Sequence, residues 1–234
     1  MLQAPVSSLF TVDDRTVSMP CEGEGPIPVV LLAGGTDSGT VWDEVVADLG
    51  DDVLTCRFDA PGTGGSEDPV APVTASSRAD TLADTLDAAG LPDRVIVVAH
   101  SLGGQTARQF GDRHPDRLAG AVMIDPTTRL AVLSLRDDLT ATGWNAAVAA
   151  AEAETPVRWP PVPLVVLSHD PDRGDLGAPS IEQLWSDGKA EYAALSAQSR
   201  HEIVTGAGHY IHVDAPSAVK EAILDVLDRS PVPN

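Results

Sequence analysis

A serine hydroxyl becomes a nucleophile only when a base takes its proton and a carboxylate holds that base in the right tautomer. Residues for all three roles occur here in the order serine, aspartate, histidine. Ser101 stands in Val97-Val98-Ala99-His100-Ser101-Leu102-Gly103-Gly104, where an apolar run ends and a segment of helical spacing begins at once. A serine on so tight a strand-to-helix turn needs small neighbours two residues before and two after it. Ala99 and Gly103 meet that need, with Ala99 in the place where the G-x-S-x-G pattern has glycine. The turn aims the N–H of Leu102 at an oxygen on the carbon under attack, which is half of an oxyanion hole. Small-x-Ser-x-small also arises by chance in a chain rich in Gly and Ala. The strand before it and the helix after it favour the nucleophile.

Among six histidines, His209 is the candidate base, because Gly206-Ala207-Gly208-His209 follows the last apolar run at its carboxyl end. His212 is expected along the next loop, and His100 is expected to point away from Ser101. His114, His169 and His201 read as surface or structural. The acid has two candidates. Asp125 ends the strand after the serine turn, and Asp172 lies in Ser168-His169-Asp170-Pro171-Asp172. Asp125 is preferred and Asp172 is the alternative; a turn before Pro126 and a solvated acidic loop are their non-catalytic explanations. For the second oxyanion donor, Ala33-Gly34-Gly35 lets the backbone come close, so Gly35 is the candidate, with Thr36 in reserve. That donor is worth about 3 kcal/mol in a transition state.

These residues need a scaffold that brings strand ends together. Apolar runs at 8–12, 15–20, 29–32, 53–58, 94–99, 118–124, 164–167 and 202–205 read as strands, the first two as a hairpin edge. Helical spacing covers 40–49, 77–89, 102–113, 144–154, 181–195 and 217–227. Alternation of the two predicts an α/β chain with a mostly parallel sheet of about eight strands and helices on both faces. A single domain spanning 1–234 is expected. Residues 127–160 break the pattern after the sixth strand and read as a small cap, with Leu130, Leu133, Leu135, Trp144 and Trp159 as candidate pocket lining or as residues that bury the cap.

With 35 acidic against 15 basic residues the net charge is −20, which opposes binding to nucleic acid or an anionic membrane. The N-terminal ten residues lack the basic and apolar regions of a leader, and no run reaches membrane-span length, so a cytoplasmic protein is expected. Cys21 and Cys56 are too few for a disulfide framework and are expected buried and reduced. No metal-ligand spacing and no phosphate loop ending in Lys-Ser or Lys-Thr occurs, so no cofactor or metal is expected.

Taken together, the Ala-Gly-Gly loop, the glycine-dense loop at 59–66, the Ala-His-Ser-Leu-Gly-Gly turn and the late Gly-His resemble the α/β-hydrolase family over about 29–227. More narrowly, they resemble bacterial members with Ala-Gly before the oxyanion residue and a Trp, Leu, Ser pattern ahead of the last strand, matched by Trp185, Leu195 and Ser196. That resemblance implies a shift of the acid to the position of Asp125, although Asp170 and Asp172 stand near the more familiar position. The function expected is a serine hydrolase that cleaves a small carboxylic ester or lactone through an acyl-enzyme. Carbon–carbon bond hydrolysis or lysis by the same residues, and a non-catalytic ligand receptor, are the alternatives. A carboxylate nucleophile, as in epoxide hydrolases and dehalogenases, is disfavoured by serine at 101. A monomer or homodimer with a small-molecule substrate is expected.

Overall fold

The computed structural model describes residues 1–134, 143–173 and 179–231. The chain opens with short antiparallel pieces: β1 (Leu2–Gln3), β2 (Leu9–Val12), β3 (Arg15–Ser18), β4 (Cys21–Glu22) and β5 (Glu24–Gly25). Strand and helix then alternate through β6 (Val29–Leu32), α1 (Asp43–Leu49), β7 (Thr55–Phe58), α2 (Ala75–Ala88), β8 (Val95–His100), α3 (Gly103–Arg113) and β9 (Leu118–Ile124). After the segment with α4 (Arg129–Ser134) and α5 (Ala146–Glu154) come β10 (Leu164–Ser168), α6 (Pro179–Ala193), β11 (Ser199–Ile203), α7 (Ile211–Asp214) and α8 (Pro216–Arg229).

One sheet of seven strands has the order β11-β10-β9-β8-β6-β7-β4, parallel except where β4 joins β7. Its central strands are buried on both faces, which explains why they read as unbroken apolar runs. Alternate residues serve opposite cores. Val30, Leu32, Val97, Ala99, Met123 and Val166 face α2 and α3, through Leu82, Leu86, Ala107 and Phe110. Val29, Leu31, Ile96, Val98, Ile124 and Leu167 face α1 and α8, through Val45, Leu49, Val219 and Ile223.

The expected strand count needs one correction. The β2–β3 hairpin forms its own two-stranded sheet, and Phe10, Val12 and Val17 pack on the α2 and α3 core. The edge beside β7 is β4, a two-residue strand outside the expected runs. The last strand also starts three residues earlier than expected, because Ser199–Ile203 is an edge strand with no buried residue and so no apolar signature. Cys21 and Cys56 correct another expectation: they face each other across β4 and β7 and form a disulfide.

Of the residues expected to line a cap pocket, Trp144 is buried with Val132, Ala149 and Ala153 against Leu102, Val73 and Ala75. Trp159 instead packs against the body, where a Cβ at Gly111 would come within 2.5 Å of its ring. Leu130 and Leu133 are half-buried, and Leu135 lies outside the described residues.

The junction that matters most for position is the start of α3 against the end of β6. A Cβ on Gly103 would lie 2.8 Å from the carbonyl oxygens of both Leu32 and Ala33, and backbone on two sides cannot rotate away. Gly103→Ala is expected to lower unfolding free energy by about 1–3 kcal/mol, the usual range for overpacking. Urea denaturation by circular dichroism checks this; an unchanged midpoint would show that the helix start can retreat.

Candidate active site

Ser101 and Asp125 follow directly from the carboxyl ends of neighbouring strands, β8 and β9, and both have positive φ, 49° and 41°. Non-glycine residues adopt this region rarely, and here hydrogen bonds hold them in it. The Ser101 N–H donates to the Ile124 carbonyl (3.1 Å), and the Ser101 carbonyl accepts from the N–H groups of Gly104 (2.9 Å) and Thr127 (3.0 Å). The Asp125 N–H donates to the Leu167 carbonyl (2.8 Å).

His209 arrives on the loop after β11. Asp170 ties that loop down at two points: its N–H donates to the Ala207 carbonyl (2.8 Å), and its carboxylate accepts from the Gly206 N–H (2.8 Å). Asp214 accepts from the Gly208 N–H (2.7 Å). His209 Nδ1 then lies 2.5 Å from Asp125 Oδ2, and Nε2 lies 3.0 Å from Ser101 Oγ. Because a carboxylate only accepts, Nδ1 carries the proton and Nε2 is left to accept from the serine hydroxyl.

Asp125 is fully buried. Its second oxygen accepts from the His169 N–H (3.3 Å), from His169 Nδ1 (2.9 Å) and from the Lys189 ammonium. Burial alone would raise its pKa, but Lys189, His169 and His209 outweigh burial and hold it well below the ordinary carboxylate value. Lys189 is itself lowered to about 8 by burial, with Asp125 opposing the fall. His169 Nε2 meets the Glu182 carboxylate at 2.7 Å, so both ring nitrogens face acceptors and both carry protons. Burial works against that charge, yet the bonds to Asp125 and Glu182 raise the His169 pKa. Two carboxylates and two cations thus form one balanced cluster behind His209. Trp185 closes one side, with its ring edge-on to His209 at 5.8 Å and its N–H toward the Asp125 carbonyl at 3.4 Å.

The expected oxyanion donors flank the serine. Gly35 has φ 51°, which suits glycine, and a Cβ on neighbouring Gly34 would come 2.7 Å from Ser101 Cβ. Among the described residues no acceptor takes the N–H of Gly35 or of Leu102. Asp59 braces the loop from below, accepting from the N–H groups of Gly39 (2.7 Å) and Gly65 (2.9 Å). Thr127 Oγ1 lies 3.3 Å from Ser101 Oγ.

Asp172 is not brought to this site. It is exposed, and its N–H donates to Asp170. His100 lies behind His209 and donates from Nε2 to the His209 carbonyl at 3.0 Å. Of the two expectations for His169, surface or structural, its 3% exposure and its bonds to Asp125 select the structural one. His212 is likewise fully buried, with its ring tilted against Trp42 and edge-on to His100. Lys189 and Glu182 gave no sequence signal, since nothing in their spacing links them to a residue about 60 positions away. Among the described residues no group of His, Cys, Asp and Glu is arranged to hold a metal ion, and no helix is long and apolar enough to cross a membrane.

The family model for the alpha/beta hydrolase fold matches residues 27–152, just over half of the chain. The chain belongs to the α/β-hydrolase fold family. This α/β hydrolase is 26% identical over 226 residues to the uncharacterized protein YqjL of Bacillus subtilis, an alignment that spans 88% of this chain and 85% of that one. Its fold is shared with a thermophilic esterase from Thermogutta terrifontis, at TM-score 0.68 and 21% identity over 94% of this chain and 97% of the esterase. It is shared equally with Est816, described as an N-acyl homoserine lactone degrading enzyme, at TM-score 0.69 and 18% identity over 93% and 99% of the two chains.

Two outcomes follow from the buried charges of this hydrolase. Lys189→Met strips Asp125 of its cation, and unfolding free energy is expected to drop by about 3–5 kcal/mol, as when one partner of a buried pair is removed; a loss under 1 kcal/mol in urea titration would mean that His169 alone compensates. Burial and nearby His209 lower the His212 pKa to about 4, so between about pH 6.5 and 4 the unfolded chain binds a proton there that the folded chain refuses. Stability is therefore expected to fall as pH is lowered through that window, by up to about 1.4 kcal/mol per pH unit from this residue. His212→Phe should flatten the slope, and an identical slope in both proteins would refute the assignment.

Proposed function

We propose that this α/β hydrolase cleaves a small carboxylic ester or lactone through an acyl-enzyme intermediate, with Ser101 as nucleophile, His209 as base and Asp125 as acid. The continuous line of hydrogen bonds from Ser101 Oγ through His209 to Asp125 carries this reading. Ser101 Oγ attacks the carbonyl carbon while its proton passes to His209 Nε2, and the adjacent Asp125 carboxylate stabilises the imidazolium. The N–H groups of Leu102 and Gly35 receive the charge that develops on the carbonyl oxygen. Collapse of the tetrahedral species breaks the ester bond, and His209 gives the proton to the departing alkoxide. Water, deprotonated by His209, then attacks the acyl-enzyme, and the acid leaves with Ser101 restored. In this reading Leu130 and Leu133, half-buried in the described part of the expected cap, are the residues to meet the substrate.

The esterase from Thermogutta terrifontis and the lactone-degrading Est816 support ester and lactone substrates as the class to test first. Hydrolysis of p-nitrophenyl esters from acetate to octanoate is the measurement. Ser101→Ala is expected to lose about 10⁴-fold or more in kcat, and Asp125→Asn about 10⁴-fold through the wrong imidazole tautomer. Asp172→Asn should stay within about twofold of wild type, since surface changes away from the chemistry rarely matter. Turnover of esters by Ser101→Ala, or a larger loss in Asp172→Asn than in Asp125→Asn, would overturn the assignment.

A further inference from the structure

Arg78, in the first turn of α2, is only 4% exposed. Among the described residues no carboxylate, carbonyl or hydroxyl pairs with its guanidinium, and its Nε is wholly buried without an acceptor. The guanidinium lies over the face of Trp144, whose ring centre is 4.7 Å from Cζ. Burial lowers its pKa to about 10, which still leaves it a cation at neutral pH. A buried charge is normally paired. This chain has acids to spare: Arg113, Arg117 and Arg229 each pair with one, and Arg57 with two.

The position of this unpaired cation gives it a use. Arg78 lines a small cavity with Gly35, Asp37, Thr63, Gly103 and Thr106. Gly35 is one proposed oxyanion donor, and Gly103 follows Leu102, the other. Asp37, the acid on that wall, accepts instead from the Tyr210 hydroxyl at 3.3 Å. The cavity is about 10 Å³, room for roughly one water-sized group. It has room for one oxygen of an anionic group beside the guanidinium. A leaving alcohol must sit at His209 Nε2, beside Trp185, whereas Arg78 lies against Trp144 and shares its cavity with Gly35 and Gly103 on the side of the proposed oxyanion donors. The group that reaches Arg78 is therefore on the acyl part of the substrate.

We propose that Arg78 recognises a carboxylate on the acyl chain, so that the preferred substrates are half-esters of short dicarboxylic acids. This rests on the hydrolase reading above. A guanidinium–carboxylate pair in a desolvated site is charge-assisted and directional, and the ligand supplies a counter-ion that none of the described residues provides.

The test compares monomethyl succinate, glutarate and adipate with methyl butyrate, pentanoate and hexanoate by pH-stat. In wild type at least one half-ester should exceed the neutral ester of equal chain length by about tenfold or more in kcat/KM, mainly through KM. Arg78→Met keeps a stem against Trp144 and should bring that ratio to one or below, while Arg78→Lys retains part of it. Ratios taken within each variant cancel any general loss of activity, and circular dichroism confirms folding. A wild type that prefers the neutral esters, or an unchanged ratio in Arg78→Met, overturns the proposal. Calorimetric binding of glutarate to Ser101→Ala, absent in Ser101→Ala/Arg78→Met, reads the same site without turnover. Binding with no hydrolysis of any ester by wild type would sink the hydrolase reading and leave the carboxylate site standing. Hydrolysis without preference or binding would do the reverse, and equal binding of inorganic phosphate would count against the proposal.

Discussion

The site depends on one buried carboxylate being kept ionised. Asp125 has no exposed surface, and a lone carboxylate there would take up a proton rather than bear its charge without water. Lys189, two groups of His169 and the ring of His209 together prevent this. Lys189 and His169 both meet Oδ1, while Oδ2 is left for His209. The division matters chemically: the oxygen that steadies His209 is not shared with the cations that hold the acid in place. Rotation of the carboxylate would have to break both sets of contacts together.

Topology explains why this support comes from where it does. Ser101 follows β8, Asp125 follows β9, His169 follows β10 and His209 follows β11, and these strands are neighbours in that order. The carboxyl edge of a parallel sheet thus delivers four functional groups side by side. His209 must travel furthest, so its loop carries the most external bracing, from Asp170 and Asp214. The loop after β10 was the other place to look for an acid. It supplies the histidine that holds the acid and, through Asp170, an anchor for the base.

The legible parts of the sequence were those governed by local pattern. β6, β8, β9 and β10 are buried on both faces and read directly as apolar runs, and α3 declared itself through Gly103 and Gly104 after the serine. What stayed hidden was set by long-range pairing. Cys21 and Cys56 became partners only because β4 lies against β7, and spacing carries no trace of that register. β11 is an exposed edge whose residues Ser199, Arg200 and His201 look like loop. The choice between Asp125 and Asp172 could not be made from position alone, since each follows an apolar strand. The distance to His209 separates them, and Lys189, 64 residues beyond Asp125, gives the reason Asp125 stays charged.

Behind His209 the protein places uncharged rings where it could have placed water. His100 and His212 are buried, and burial together with neighbouring histidines pushes both below the ordinary imidazole value. They stack with Trp42 and Tyr210. Through its Nε2, His100 also fixes the carbonyl of His209 itself. A neutral wall on that side and a balanced ionic cluster on the other leave Asp125 as the dominant charge in direct contact with the His209 ring. In the proposed mechanism the imidazolium formed on proton transfer from Ser101 meets a partner already in place, so little reorganisation is needed at the moment of reaction. The same arrangement ties the site to stability, because His212, with neither ring nitrogen hydrogen-bonded, packs behind His100 and His209 only while it remains unprotonated.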